Sequence, residues 1–217
     1  MAARSKLVRI LGFGDSLTQG HTYQLTHFHP YTHRLRQLLQ EHKSVKFDVD
    51  NAGIAGEFVR DQMTKRLPLL LRKNGPYDLI IILGGTNDLG DFNPGEEKAL
   101  FKEIVSLHHI AHEHGAKTLL LTIPESDYIF KDMGANGTSY IKEDGEKGRI
   151  LINEMLRDFA KENDDVMLCD LDQEHRHTNL KEEEKVKLWD DGLHYTPEGY
   201  DRMGEIIFEK IKHLYWE

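Results

Sequence analysis

Apolar and polar residues follow two alternating rhythms along this chain. Short apolar runs recur near Val8–Phe13, Val45–Asn51, Asp78–Leu83, Thr118–Ile123 and Val166–Leu171. Runs of this length, bounded by turn residues, read as strands, and those that are apolar throughout read as strands covered on both faces. Val45, Phe47 and Val49 alternate with polar residues, the pattern of a strand with one covered face. Between the runs the apolar period lengthens to that of a helix. Tyr31, Leu35, Leu38 and Leu39 form one face from about Tyr31 to Glu41, with Pro30 at its start. Leu100, Ile104, Leu107 and Ala111 do the same from Glu96 to His114. Ile150, Leu151, Met155, Leu156 and Phe159 read as the inward side of a helix from Lys147 to Glu162. Phe58 to Lys73 is also helical in pattern, with a bend or break predicted at Pro68. The last helix spans Pro197 to His213, opened by Thr196-Pro197-Glu198.

This β-α-β-α rhythm predicts an α/β fold, a mostly parallel five-stranded sheet with helices on both faces, joined by right-handed crossovers. No internal repeat or linker-like stretch divides it, so one domain over residues 1–217 is expected. Two connectors are long, His21 to His29 and Glu125 to Glu146, and loops of that length in a compact domain tend to be functional. Asp172 to Lys187 is polar and charged, and its His175 and His177 are expected in solvent.

Composition narrows the function classes. The formal net charge of −9 argues against nucleic acid as a partner. The longest purely aliphatic run, Leu79 to Leu83, is too short to span a bilayer. Met1 to Lys6 has no apolar signal region, so a cytoplasmic location is expected. The single cysteine, Cys169, lies in an apolar run and reads as a buried thiol.

Candidate chemistry gathers where strands end. Gly12-Phe13-Gly14-Asp15-Ser16-Leu17-Thr18-Gln19-Gly20 follows the first strand. Taken alone it also reads as a turn with a capping serine. Ligands of open α/β sheets, however, bind beyond the carboxyl ends of the strands. Three more stretches share that placement: Asn51 to Glu57, Gly84-Gly85-Thr86-Asn87-Asp88, and Asp190 to Pro197 just before the last helix. Hydrolysis of an ester needs a nucleophile, a base, a group that orients the base, and donors for the oxyanion. Ser16, His194, Asp191 and the pair Gly56 and Asn87 supply these in turn. Asp191 stands three residues before His194, a spacing that lets its carboxylate reach the imidazole in a turn.

These blocks resemble the GDSL family of serine esterases and lipases, the SGNH hydrolases. Gly14-Asp15-Ser16-Leu17 matches the family signature, Asn51 to Gly56 its Asn-x-x-x-x-Gly element, Gly84 to Asp88 its Gly-x-Asn-Asp element, and Asp191-Gly192-Leu193-His194 its Asp-x-x-His element. Order and coverage match over essentially the whole chain. The resemblance implies a three-layer α/β/α, flavodoxin-like SGNH hydrolase fold with no metal and no cofactor. It further implies that Ser16 attacks, His194 takes its proton and Asp191 orients His194. The Ser16 and Gly56 amides and the Asn87 side chain would form the oxyanion hole. The partner is then a small-molecule ester; the net charge of −9 and two long connectors without an amphipathic apolar helix predict short acyl chains. Non-catalytic binding of carbohydrate or acyl groups is the alternative on the same scaffold. Within catalysis the same groups serve a thioesterase, a carbohydrate deacetylase or an acyltransferase.

The other histidines include His27 and His29, and the helical cluster His108, His109, His112 and His114. His108 and His112 are four apart, close enough to face one metal, but a partly exposed helix face is the expectation. Tyr128, Phe130, Met133 and Tyr140 in the second connector either line an acyl or alcohol pocket or anchor the loop.

Overall fold

A computed structural model describes residues 6–23, 25–90, 93–126, 142–178 and 180–216. In chain order the main elements are β1 (Lys6–Gly14), α1 (Ser16–Gln19), β2 (His21–Thr22), β3 (His27–Phe28), α2 (Tyr31–Gln40), β4 (Val45–Gly53), α3 (Thr64–Asn74) and β5 (Leu79–Leu83). They continue with α4 (Thr86–Gly90), α5 (Glu97–Glu113), β6 (Lys117–Leu121), α6 (Lys142–Glu162), β7 (Val166–Cys169), α7 (Leu171–Glu174), α8 (Glu182–Leu188) and α9 (Pro197–Ile211). Five strands form one sheet in the order β4-β1-β5-β6-β7, every pair parallel. Counted by their turn in the chain these strands run 2-1-3-4-5, the flavodoxin-like order, whose ligand crevice opens where the first and third strands meet. That crevice lies beyond the ends of β1 and β5.

The strand sequences explain why helices cover both faces. All five residues of β5, Leu-Ile-Ile-Ile-Leu, are buried. On β1, Leu11 and Phe13 point into a core shared with Met63, Leu67, Leu107 and Leu156 from the α3, α5 and α6 side. Val8 and Ile10 point the other way, into a core with Leu35 and Leu39 of α2 and Met203 and Ile207 of α9. At the edge, β4 keeps Val49 buried while Lys46 and Asp48 face solvent. Arg9 reaches across from β1 to Asp48 and Asp50 at 3.3 and 3.2 Å. Cys169 is a buried free thiol, pushed well up by burial.

Four local features depart from the sequence pattern. The break in the third helical stretch falls at Arg60 and Asp61, where Asp61 has φ of 66°, rather than at Pro68. Pro68 is the fifth residue of α3, so the ladder bond it cannot make is an early one, to the Thr64 carbonyl, and the helix runs on. On α6, Ile150 and Leu151 are exposed while Ile152 and Leu156 are buried. Arg149 and Asn153 take the inward stripe instead, because both bond the Ile123 carbonyl and Arg149 also meets Asp172 at 2.6 Å. The charged segment after β7 holds α7 and α8, and within it His175 and His177 are buried, with His175 stacked on Tyr195 at 4.5 Å. The connector from His21 forms a two-stranded antiparallel ribbon, His21 opposite Phe28 and Thr22 opposite His27. Tyr128, Phe130, Met133 and Tyr140 lie outside the described residues. Among the described residues no helix is long and apolar enough to cross a membrane.

Candidate active site

Ser16 sits where β1 stops and α1 begins. Asp15 follows the strand and caps α1, its Oδ1 accepting from the Leu17 N–H at 2.9 Å. Ser16 is thereby held at the first position of α1, and only 7% of its surface is exposed. The turn that precedes α9 brings His194 to it across 178 residues of sequence, with Nε2 2.9 Å from Ser16 Oγ. The His194 Nδ1 lies 2.8 Å from Asp191 Oδ2. Asp191 Oδ1 accepts from the backbone N–H groups of Leu193 and His194 at 2.9 and 2.7 Å, which closes the turn and aims the carboxylate at the ring. Asp190 holds the same turn through its backbone, its N–H donating to the His194 carbonyl at 2.8 Å. An imidazole bonded this way presents a lone pair to the serine hydroxyl and can carry its proton.

The loops with Gly56 and Asn87 are tied to this centre and to each other. Asn51, at the end of β4, donates to the Thr18 carbonyl at 2.6 Å and accepts from Gly53 N–H at 3.0 Å. Gly53 is glycine because a Cβ there would meet the Gln19 nitrogen at 2.1 Å. The Ile54 N–H donates to the Gly14 carbonyl at 3.0 Å, and the Ala55 N–H to Gln19 Oε1 at 2.8 Å. Gly56 then turns with φ of +73°, its α-carbon facing open space. Asn87, in α4 after β5, donates one Nδ2 hydrogen to the Glu57 carbonyl at 2.9 Å. Its second amide hydrogen is left for another acceptor.

A family model for the GDSL-like lipase/acylhydrolase family matches residues 13–202. The chain belongs to that family. Membership makes it a carboxylic ester hydrolase of the GDSL type. A comparison with curated protein sequences gave no match. Solved structures share the fold over nearly the whole chain. A carbohydrate acetylesterase family member from Sinorhizobium meliloti is 19% identical with a TM-score of 0.73, covering 95% of this chain and 98% of that one. The aryl esterase of M. smegmatis is 22% identical with a TM-score of 0.70, covering 95% and 99%. A family 3 carbohydrate esterase from Clostridium thermocellum is 16% identical with a TM-score of 0.67, covering 96% and 97%.

The electrostatics of this GDSL-type hydrolase separate its buried carboxyls. Burial works to raise the Asp191 carboxyl, but the hydrogen bonds from the His194 ring and backbone and from Leu193 leave it below its ordinary value. Asp15 is fully buried with one oxygen unpartnered, and burial pushes it up to about 7 against the Leu17 hydrogen bond.

Other residues hold the site together: Asp88 and Glu57 lie inside the stretches the sequence singled out, and Arg66 lies outside them. Asp88 accepts from the Val59 and Arg60 N–H groups at 2.9 and 3.2 Å, fixing the loop beyond Gly56. Arg66 of α3 forks onto the buried Glu57 carboxylate, with Nε 2.6 Å from Oε1 and Nη2 against Oε2. Its Nη1 also donates to the Ala52 carbonyl at 3.0 Å, and its guanidinium lies 4.2 Å from the centre of the Phe13 ring. Glu57 and Arg66 are nine residues apart across a helix kink, a spacing with no periodic signature.

The remaining histidines are engaged elsewhere. His108 Nδ1 and His112 Nε2 both meet the Thr118 hydroxyl, at 2.8 and 3.1 Å. Burial pushes His108 down to about 3, so it is a neutral core ring. His29 Nε2 lies 2.8 Å from Asp201, and His27 Nδ1 2.8 Å from the Thr26 hydroxyl. A cavity of about 300 Å³ adjoins Asp191 and Gly192 and is walled by Trp189 and His177.

Proposed function

We propose that the protein hydrolyses esters of short-chain carboxylic acids through an acyl-enzyme on Ser16. The observation that carries this reading is the continuous line Asp191 Oδ2, His194 Nδ1, His194 Nε2, Ser16 Oγ, with contacts of 2.8 and 2.9 Å. Ser16 Oγ attacks the ester carbonyl carbon while His194 Nε2 takes its proton. The carbonyl oxygen becomes an oxyanion, which accepts hydrogen bonds from the Ser16 and Gly56 N–H groups and from Asn87 Nδ2. As the bond to the alcohol oxygen breaks, His194 gives its proton to that oxygen and the alcohol leaves. Water then repeats the sequence on the acyl-enzyme, with His194 taking its proton and returning it to Ser16 Oγ, and the acid departs.

The acyl preference rests on what surrounds the centre. A lipase acting at lipid aggregates presents a broad apolar surface. Here the first long connector is a short β-ribbon instead of an amphipathic lid helix, and the formal net charge is −9. The similar folds include a protein named as a carbohydrate acetylesterase family member, which agrees with a small acyl group. A p-nitrophenyl ester series from acetate to palmitate tests the preference. The expected maximum lies between acetate and hexanoate, with no jump in rate above the micelle concentration. A fluorophosphonate probe, followed by peptide mass analysis, tests the nucleophile. Ser16 is expected to carry the label, and Ser16→Ala to lose both label and turnover while keeping its fold. Turnover above a few per cent in pure Ser16→Ala protein rules the mechanism out.

A further inference from the structure

The β2–β3 ribbon stands beside the imidazole of His194 and has no part in the chemistry described so far. His21 opens β2, and its ring centre is 6.0 Å from that of His194. Phe28, its register partner on β3, meets the same ring edge-on at 4.7 Å. Paired residues of an antiparallel ribbon lie on one face, so the rings continue outward from the centre as His194, His21, Phe28. Phe28 is 57% exposed at the outer end.

The ribbon is clamped in place. The Tyr200 hydroxyl of α9 donates to the His21 carbonyl at 2.9 Å, and the His29 N–H donates to the Gly20 carbonyl at 2.7 Å. Gln19 settles the state of His21. Its Oε1 must accept from the Ala55 N–H, so the His21 Nε2 at 3.1 Å from the same oxygen is the donor. That leaves Nδ1 without a hydrogen, buried and unpartnered. Burial, then the adjacent His194, holds His21 below its ordinary value, so it stays a flat neutral ring beside the site.

We infer that His21 and Phe28 wall the subsite for the alcohol part of the ester and select aromatic alcohols. The inference rests on the esterase reading and adds the side of the substrate that this wall meets. In that reading the proton on His194 Nε2 goes to the leaving alcohol oxygen. That oxygen must come within hydrogen-bond reach of Nε2, so the carbon skeleton attached to it lies beside the His194 ring, next to His21, and a skeleton that reaches outward along His21 comes to Phe28. The acyl group is directed instead by the carbonyl, whose oxygen faces Gly56 and Asn87. Edge-to-face and offset contacts favour an aromatic ring over an aliphatic one of the same size.

The test compares benzyl acetate, cyclohexylmethyl acetate and methyl acetate in the full chain and in Phe28→Ala. The first two alcohols match in size and closely in leaving ability, so their ratio reads ring recognition. In the native protein kcat/KM for benzyl acetate is expected to exceed that for cyclohexylmethyl acetate by about fivefold or more. Phe28→Ala should lose about tenfold on benzyl acetate with methyl acetate and the acyl-length profile unchanged, and Phe28→Trp should restore the ratio. Phe28 is mostly exposed, so the alanine variant is expected to fold. Equal losses on benzyl and methyl acetate, or a shifted acyl profile with an unchanged alcohol ratio, overturn the assignment. Protein that labels at Ser16 yet shows no benzyl preference defeats only this inference. Protein that neither labels nor turns over any ester defeats the esterase reading along with it.

Discussion

Arg66 offers the sharpest test of how the site is held. Its guanidinium is about 20% exposed and the Glu57 carboxylate it grips about 7%, so neither charge is well solvated without the other. Arg66→Met keeps the length of the stem and removes the charge, the two-pronged bond to Glu57 and the donor to the Ala52 carbonyl. Breaking one side of a buried pair costs about 3–5 kcal/mol, most of it for the charge left behind. The lost contact with the Phe13 ring adds about 1 kcal/mol. Against a usual total stability on the order of 5–15 kcal/mol, Arg66→Met is expected to fold at low temperature but unfold at a much lower urea concentration. The double variant Glu57→Gln/Arg66→Met removes the stranded charge and should recover about 2 kcal/mol or more of the loss. Its kcat should still lie below that of the native protein, because the fork that anchors the loop between Gly56 and Asn87 is missing. Urea titrations followed by far-UV circular dichroism measure the first two quantities, and steady-state kinetics on p-nitrophenyl acetate the third. If Arg66→Met falls within about 1 kcal/mol of the native protein, the carboxylate is not dependent on its partner and the reasoning fails. If the double variant is no more stable than the single one, the loss belongs to the carbonyl contacts and not to the charge.

Three further outcomes are expected. Asn87→Ala should lower kcat by about 10²–10³ with little change in KM, since an oxyanion donor binds the transition state better than the ground state; a rise in KM alone would mark Asn87 as a substrate-positioning group. Asp191→Asn should lose most of the activity on p-nitrophenyl acetate and Asp190→Asn much less, and the reverse order would reassign the carboxylate that orients His194. Asp15 is raised to about 7 by burial, so the native fold favours its protonated form and loses stability as pH climbs from about 4 through 7. Asp15→Asn stays neutral and keeps an acceptor for the Leu17 N–H, so its stability relative to the native protein should rise across that window and level off above it. Urea midpoints at pH 5 and pH 8 that move in parallel for the two proteins would contradict this.

The sheet was legible because its central strand is pure and its edge strand alternates: Leu79 to Leu83 has no polar position to confuse the period, Val45, Phe47 and Val49 alternate with polar residues, and the stripe Leu100, Ile104, Leu107, Ala111 keeps a helical period. The inward stripe of α6 was not, because apolarity was a poor guide to burial there. Arg149 and Asn153 are inside for the sake of the Ile123 carbonyl, a partner thirty residues away for Asn153, and Ile150 and Leu151 are displaced outward. The β2–β3 ribbon was invisible for a different reason. Four strand residues, His-Thr and His-Phe, are too few to show an alternation, and the ribbon is held by Tyr200 and by the backbone of His29 rather than by its own pattern. Within the site, Ser16, Asp191 and His194 stood out by block and spacing, as did Gly56 and Asn87. Arg66, Gln19 and Asp88 act through contacts that exist only once the ends of β1, β4 and β5 lie side by side.

β4 closes one side of the sheet, and a strand in that position offers its outward N–H and C=O groups as a template for any other extended chain. Lys46, Asp48 and Asp50 occupy every second residue of it. A strand from another copy laid parallel and in register against β4 sets Lys46, Asp48 and Asp50 each beside its own copy, and like charges opposite one another weaken strand pairing. Arg9 is one cation against both Asp48 and Asp50 and is held on the inner side by the Asn74 and Pro76 carbonyls, so the pair keeps a net negative charge. The strand that carries Asn51 and Gly53 to the active centre is therefore also a guard against fibrous association when the protein is concentrated.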